Sequence, residues 1–194
     1  EAGIGWVRHD FPLPFEDRLY GAVSAEYRRR KAEAEAWVAR GVEVMGVSPG
    51  PGVATFAPNA SGHMRSVWHD AMPEWFGEPG SERYLQCYQA VCQWLADDLR
   101  GIVSAWQIAN ELDIRQFAGP LSLRQAAELI RHGARGLKAA DPAVFVGPNS
   151  GGAPEALFLY GRLYGDPGSP LDYCGVGQPD RGALGAHARP GRDQ

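Results

Sequence analysis

The chain has 194 residues, 44% hydrophobic and 22% charged, the balance of a globular domain long enough to bury a sizeable core. A net charge of −4 supplies no basic face of the kind nucleic acids select, so no nucleic-acid partner is expected. No apolar run reaches the length of a membrane span.

The opening "EAGIGWVRHD" has no initiator Met, is not a signal peptide and enters strand-like sequence at once. It leads to the expectation that either something was removed upstream or the chain is a fragment, and it leaves the localisation undetermined. Residues 4–11, "IGWVRHDF", are apolar and β-prone up to Pro12 and read as a strand. Ala, Glu and Arg then dominate "AEYRRRKAEAEAWVAR", a helix over 25–40 closed by Gly41. Its basic run, Arg28 to Lys31, lies among glutamates and is expected to be a solvated, ion-paired face. A short strand, "VEVMGVSPG", follows. Residues 50–80 read as a long irregular segment rich in Gly, Pro and aromatics, and loops of this length are usually functional.

Ser81 is placed to cap a second helix with Tyr84, Tyr88, Val91 and Leu95 on one face. Near Gly101 it gives way to a third strand, "IVSAWQIAN". Leu123, Ala127, Ile130, Ala134 and Leu137 step four, three, four, three along an amphipathic helix stopped by Asp141-Pro142. "AVFVGPNSGG" is a fourth strand, "APEALFLYGRLYG" a helix and "LDYCGVG" a fifth strand. Past Gly177 the apolar periodicity vanishes, so residues 178–194 are expected to be a disordered or out-of-pattern tail, or the product of another reading frame.

The alternation β-α-β-α-β-α-β-α-β predicts an α/β domain with a parallel sheet and crossover helices. An open doubly wound sheet and a closed barrel both satisfy it. "SPGPGV" and "GPNSGG" lack the G-x-G-x-x-G spacing of a dinucleotide fold, which places a nucleotide-using enzyme last. In a barrel the C-terminal strand ends carry the chemistry. Polar residues collect at those ends here: Arg8-His9-Asp10, Ser48, Asn110-Glu111 and Asn149-Ser150.

Glu111 is the leading candidate for an acid/base. It ends an apolar strand, and the next helical pattern begins only near Ser122, too far away for Glu111 to cap it. Asn110 beside it can bind a hydroxyl without adding charge. Asp113 is expected behind Glu111, as a supporting carboxylate. Arg8 falls where strand alternation aims inward, and its guanidinium can hold a carboxylate ionised; His9 and Asp10 are weaker candidates. His63, His69 and Glu74 fit neither H-E-x-x-H nor H-x-H, so no metal is expected. Trp68 and Trp75 are candidates to stack on the C–H faces of sugar rings. Cys87 and Cys92, about 140° apart around a helix at ~3.6 residues per turn, are poorly placed to bridge. With Cys174 they are expected to be buried or half-buried free thiols.

A strand ending W-x-R-x-D-F, followed by one reading W-x-I-x-N-E, resembles the large clan of retaining glycoside hydrolases built on the (β/α)₈ barrel. The resemblance covers about residues 3–177. It implies a (β/α)₈ TIM barrel that is incomplete, with about five β/α units corresponding to strands two to six, and a partial catalytic domain over 1–177. It further implies Glu111 as the acid/base, Asn110 and Arg8 at the sugar, Asn149 as a further contact, and neither metal nor organic cofactor. The substrate class would be an oligosaccharide, polysaccharide or glycoside. The clan's nucleophile, a second Glu on the seventh strand, has no counterpart here, so the chain alone is expected to be inactive. The alternative function is a non-catalytic carbohydrate-binding partial barrel. Unpaired sheet edges would favour self-association.

Overall fold

The computed structural model of the protein describes residues 3–176, apart from the side chains of 53–56, 65–70 and 176. The expected tail, 178–194, lies outside the described residues. Strand β1 (Trp6–Asp10) leads to helix α1 (Ala25–Val38) and strand β2 (Glu43–Val47). Strands β3 (Gly52–Pro58) and β4 (Met64–Asp70) come next, then helix α2 (Glu82–Asp98) and strand β5 (Val103–Gln107). The remainder is α3 (Arg115–Ala118), α4 (Leu123–Ala140), β6 (Phe145–Gly147), β7 (Asn149–Ser150), α5 (Ala156–Tyr164) and β8 (Gly175–Val176).

Four strands form one parallel sheet in the order β1-β2-β5-β6. Each new strand adds on the same side. A doubly wound sheet would reverse direction at its switch point, so this order selects the barrel over the open sheet. Pro148 separates β6 from β7 because it has no N–H to give a ladder. Beyond it β7 pairs in parallel with β8. Of the expected fifth strand only Gly175–Val176 is regular; Asp172 ties to β6 instead, its N–H donating to the Val146 carbonyl at 2.8 Å and its carboxylate accepting from Val146 N at 2.8 Å.

The core lies between the sheet and the helices. Val44, Trp106 and Val146 on that face are buried, with Ala127, Ile130, Ala134 and Leu137 of α4 and Tyr84, Tyr88, Val91 and Leu95 of α2. Two glycines set close approaches. A Cβ on Gly46 would stand 2.8 Å from the Trp106 ring, and one on Gly136 would collide with the Gln89 carbonyl of α2. The opposite face carries Arg8, Met45, Ala105 and Phe145, which share a register across the four strands and are exposed or half-buried. Among the described residues the helices therefore cover one face of the sheet only.

Capping follows the sequence. Ser24, Ser81 and Ser122 accept from the backbone N–H three residues on, and Ser122 with Gln125 completes a capping box. The basic run on α1 is only partly a solvated face. Arg29 pairs with Glu26 and Glu33, but Lys31 Nζ reaches Asp98 at 2.9 Å, and Tyr27 donates to the same carboxylate at 2.6 Å. These contacts tie α1 to α2. Cys87 is half-buried and Cys92 buried, as expected, whereas Cys174 is exposed, just ahead of β8 and outside the four-stranded sheet.

The largest correction concerns residues 50–80. β3 and β4 form an antiparallel hairpin, Gly52 opposite Asp70 and Pro58 opposite Met64. Its turn is organised by Asn59, whose side-chain oxygen accepts from Ser61 N at 2.9 Å and His63 N at 3.0 Å, and by Gly62 at φ 80°. At its base Gly52 sits against the Gln116 and Phe117 carbonyls of α3, where a Cβ would approach to 2.6 Å and 2.9 Å.

His9 lies on the helix-facing side of β1, buried, with Nε2 2.9 Å from the Arg30 carbonyl. Burial lowers its pKa from the ordinary 6.5, with the Arg30 carbonyl acting in the opposite direction. The unfolded chain therefore binds this proton first. Stability is fully present above pH 6.5 and falls as pH drops through that value. Urea unfolding from pH 7.5 to 5 should show this loss, and His9→Gln should reduce its slope; an unchanged slope would contradict it.

Candidate active site

β5 carries the sequence to the site. Its register places Gln107 level with Val47 and Gly147, and Val47 level with Asp10. Beyond Gln107 the chain leaves the ladder through two left-handed residues, Ala109 at φ 51° and Glu111 at φ 47°. Neither is glycine, and the left-handed region costs a residue with a Cβ roughly 1–2 kcal/mol. Neighbouring strands supply the compensation. Ala109 N donates to Ser48 Oγ at 3.0 Å, and Glu111 N donates to Asn149 Oδ1 at 2.8 Å.

The side chains of three strand ends then close a network. Arg8 Nε donates to Gln107 Oε1 at 3.1 Å and Arg8 Nη2 to Asn110 Oδ1 at 2.8 Å. Gln107 Nε2 donates to Asn149 Oδ1 at 2.9 Å and to the Ala109 carbonyl at 2.7 Å. Asn149 Nδ2 lies 3.3 Å from Asn110 Oδ1. Arginine can only donate, so Asn110 must present its oxygen to Arg8, which leaves its NH₂ as the half without a partner among the described residues. Asp10 stands on the rim, exposed, 3.7 Å from Arg8 Nη1.

A cleft of about 370 Å³ opens at this end of the sheet, lined among others by Arg8, Asp10, Ser48, Asn110 and, from α3, Phe117. Glu111 is half-buried, and its carboxylate stands beside Gly151, where a Cβ would come within 3.1 Å of Oε2. Among the described residues that carboxylate has no hydrogen-bond or ion-pair partner. Asp113 lies behind it and is buried. It accepts from Ser150 Oγ at 2.7 Å, Gly151 N at 3.0 Å and Ala153 N at 3.2 Å, fixing the loop on which Glu111 rests.

Solved structures resemble this arrangement of elements. A glucosidase from Croceicoccus marinus matches with a TM-score of 0.56 at 15% identity, over 88% of this chain and 37% of its own. A xylanase from Thermobacillus composti matches at 0.52 and 16%, over 85% and 46%. An exo-β-1,4-mannosidase from an Opitutaceae bacterium matches at 0.52 and 17%, over 75% and 25%. The fold is that of part of a (β/α)₈ barrel. The chain spans less than half the length of each of these glycoside hydrolases. No protein-family model and no curated protein matches the sequence.

The sequence-predicted residues divide accordingly. Arg8, Asn110 and Asn149 come together in one network that Glu111 joins through its backbone N–H, and Arg8, Asn110 and Asp10 line the cleft, whereas Asn149, Glu111 and Asp113 stand beside it. His9 turns to α1 instead. Trp75 is half-buried against the core, its ring 4.4 Å from that of Phe76, and does not line the cleft. The Trp68 side chain lies outside the described residues. Sequence reasoning missed Gln107 and gave Ser48 no role. Gln107 was detectable as a lone amide in an apolar strand, two residues from Ala105 and so on the same face.

Asp113→Ala would leave two backbone N–H groups and a hydroxyl without their acceptor. It should cost about 2–4 kcal/mol of unfolding free energy. Asp113→Asn, which keeps one acceptor oxygen, should cost less. Denaturant titration checks both, and a loss within error of zero for the alanine variant would contradict the role assigned to Asp113.

Proposed function

We propose that the chain carries the acid/base half of a retaining O-glycosidase, with Glu111 as the acid/base. The observation that supports this most directly is the strand end itself. Arg8 and two amides, Gln107 and Asn149, hold Asn110 and Glu111 at the C-terminal edge of a parallel sheet, and the sheet belongs to a fold that the similar solved structures use for glycoside hydrolysis. The substrate class is a glycoside or an oligo- or polysaccharide.

In this reading a sugar occupies the cleft beside Arg8 and Asn110. The NH₂ of Asn110 donates to a ring hydroxyl, and Arg8 holds that amide in place. The Glu111 carboxyl gives its proton to the leaving oxygen as the glycosidic bond breaks. A carboxylate about 5–5.5 Å away attacks the anomeric carbon. We place that nucleophile outside the described residues. Glu111, now ionised, takes a proton from water as the water displaces the carboxylate, and the sugar leaves with its anomeric configuration retained. Neither step draws on a metal or an organic cofactor.

The test is turnover of aryl glycosides by the protein that contains this chain. Glu111→Gln should lower kcat on poor leaving groups by roughly 10²–10⁴ and much less on activated ones, which need no proton. Proton NMR of the first product should show the retained anomer. Inversion, or equal loss for both leaving groups, would refute the role. Saturable glycoside binding with no turnover would favour a non-catalytic carbohydrate-binding barrel.

A further inference from the structure

We propose that Asn149 and Ser48 are positioning residues that set the conformation of the Asn110–Glu111 strand end, each through one backbone amide. The two left-handed residues flank Asn110, and their N–H groups find no partner in the sheet ladder, which ends at Gln107. Each is met by a side chain from a different neighbouring strand end, Ser48 on one side and Asn149 on the other. Ala109 and Glu111 thereby keep a backbone conformation that L-residues rarely adopt, and the direction in which Asn110 and Glu111 leave the strand depends on it.

The hydrogen positions in both contacts follow from donor and acceptor counts. Glu111 N can only donate, so the Asn149 atom facing it is the amide oxygen, and Asn149 Nδ2 is left for Asn110 Oδ1. On the other side, Tyr88 spends its single proton on the Pro49 carbonyl at 2.8 Å. Ser48, 2.9 Å from the same phenol, must therefore donate to it and accept from Ala109 N. The result is a one-way chain from Ala109 N–H through Ser48 and Tyr88 to Pro49 C=O. Tyr88 and Ser48 are buried, so water does not compete with these bonds. Tyr88 comes from α2, and the helix layer thus fixes the conformation of the site edge.

Amide hydrogen exchange on the ¹⁵N-labelled chain tests this without substrate. Asn149→Ala should speed exchange at the Glu111 amide roughly tenfold and weaken the short HN–Hα contact that positive φ imposes, while Ala109 is unmoved. Asn149→Asp keeps the acceptor oxygen and should restore Glu111 protection. Asn149→Ser, too short to reach the Glu111 amide, gives the same reading should the alanine variant not fold. Ser48→Ala should show the reverse pattern, with Ala109 exposed and Glu111 held. Unchanged Glu111 exchange in Asn149→Ala, or equal acceleration at both sites and in the α4 core, would overturn the proposal. Its catalytic consequence rests on the role proposed for Glu111: Asn149→Ala should lower kcat with little change in KM, and Asn149→Asp should recover most of it. Absence of turnover in the unmodified protein would refute that role and leave the exchange result standing.

Discussion

Two backbone amides, those of Ala109 and Glu111, set the terms on which this end of the sheet is built. A strand that left the ladder in ordinary extended conformation would carry Asn110 and Glu111 on along the direction of β5. The left-handed residues turn the chain, and the turn survives because Ser48 and Asn149 accept the displaced N–H groups. Everything polar at this edge is organised around that turn. Arg8 orients Asn110, Gln107 ties Asn149 to the Ala109 carbonyl, and Asp113 fixes the loop beside the Glu111 carboxylate. The charges are sparse and their partners specific. One guanidinium, with no acceptor of its own, decides which way the Asn110 amide points.

The layer beneath makes such an edge affordable. The α2 and α4 helices pack closely at Gly136, and Trp106 lies across Gly46. This dense region anchors β5 just before the turn. Tyr88 belongs to that core and to the site at once, since it is fully buried while its hydroxyl passes the chain from Ala109 on to the Pro49 carbonyl. Local rigidity at the strand end is thus borrowed from the hydrophobic core rather than supplied by the loops.

Much of this was legible in the sequence because periodicity survives burial. Helix α1 announces itself by its Ala, Glu and Arg content, α2 and α4 by apolar spacing, and Asn110-Glu111 by the abrupt end of an apolar strand. The hairpin β3–β4 was not legible. Its strands are bounded by Gly and Pro and enclose the turn residues Asn59 to His63, a texture that a loop shares, and pairing between its two arms is a tertiary fact. His9 was misdirected by its neighbours: alternation sends Arg8 and Asp10 to one face and His9 to the other, where α1 buries it. Gln107 escaped notice and Ser48 was given no role because a polar side chain at a strand end gains its meaning only from the strands on either side.

The central claim is that the strand ends around Asn110 and Glu111 form a sugar site. Chemical-shift mapping of aryl glycosides on the ¹⁵N-labelled protein tests it most directly. The account predicts saturable shifts confined to Arg8, Ser48, Asn110, Glu111 and Phe117. Shifts centred on Val38, Gly101 and Ile102, which line a cleft at the opposite end of the sheet, or no shifts with any glycoside, would contradict it.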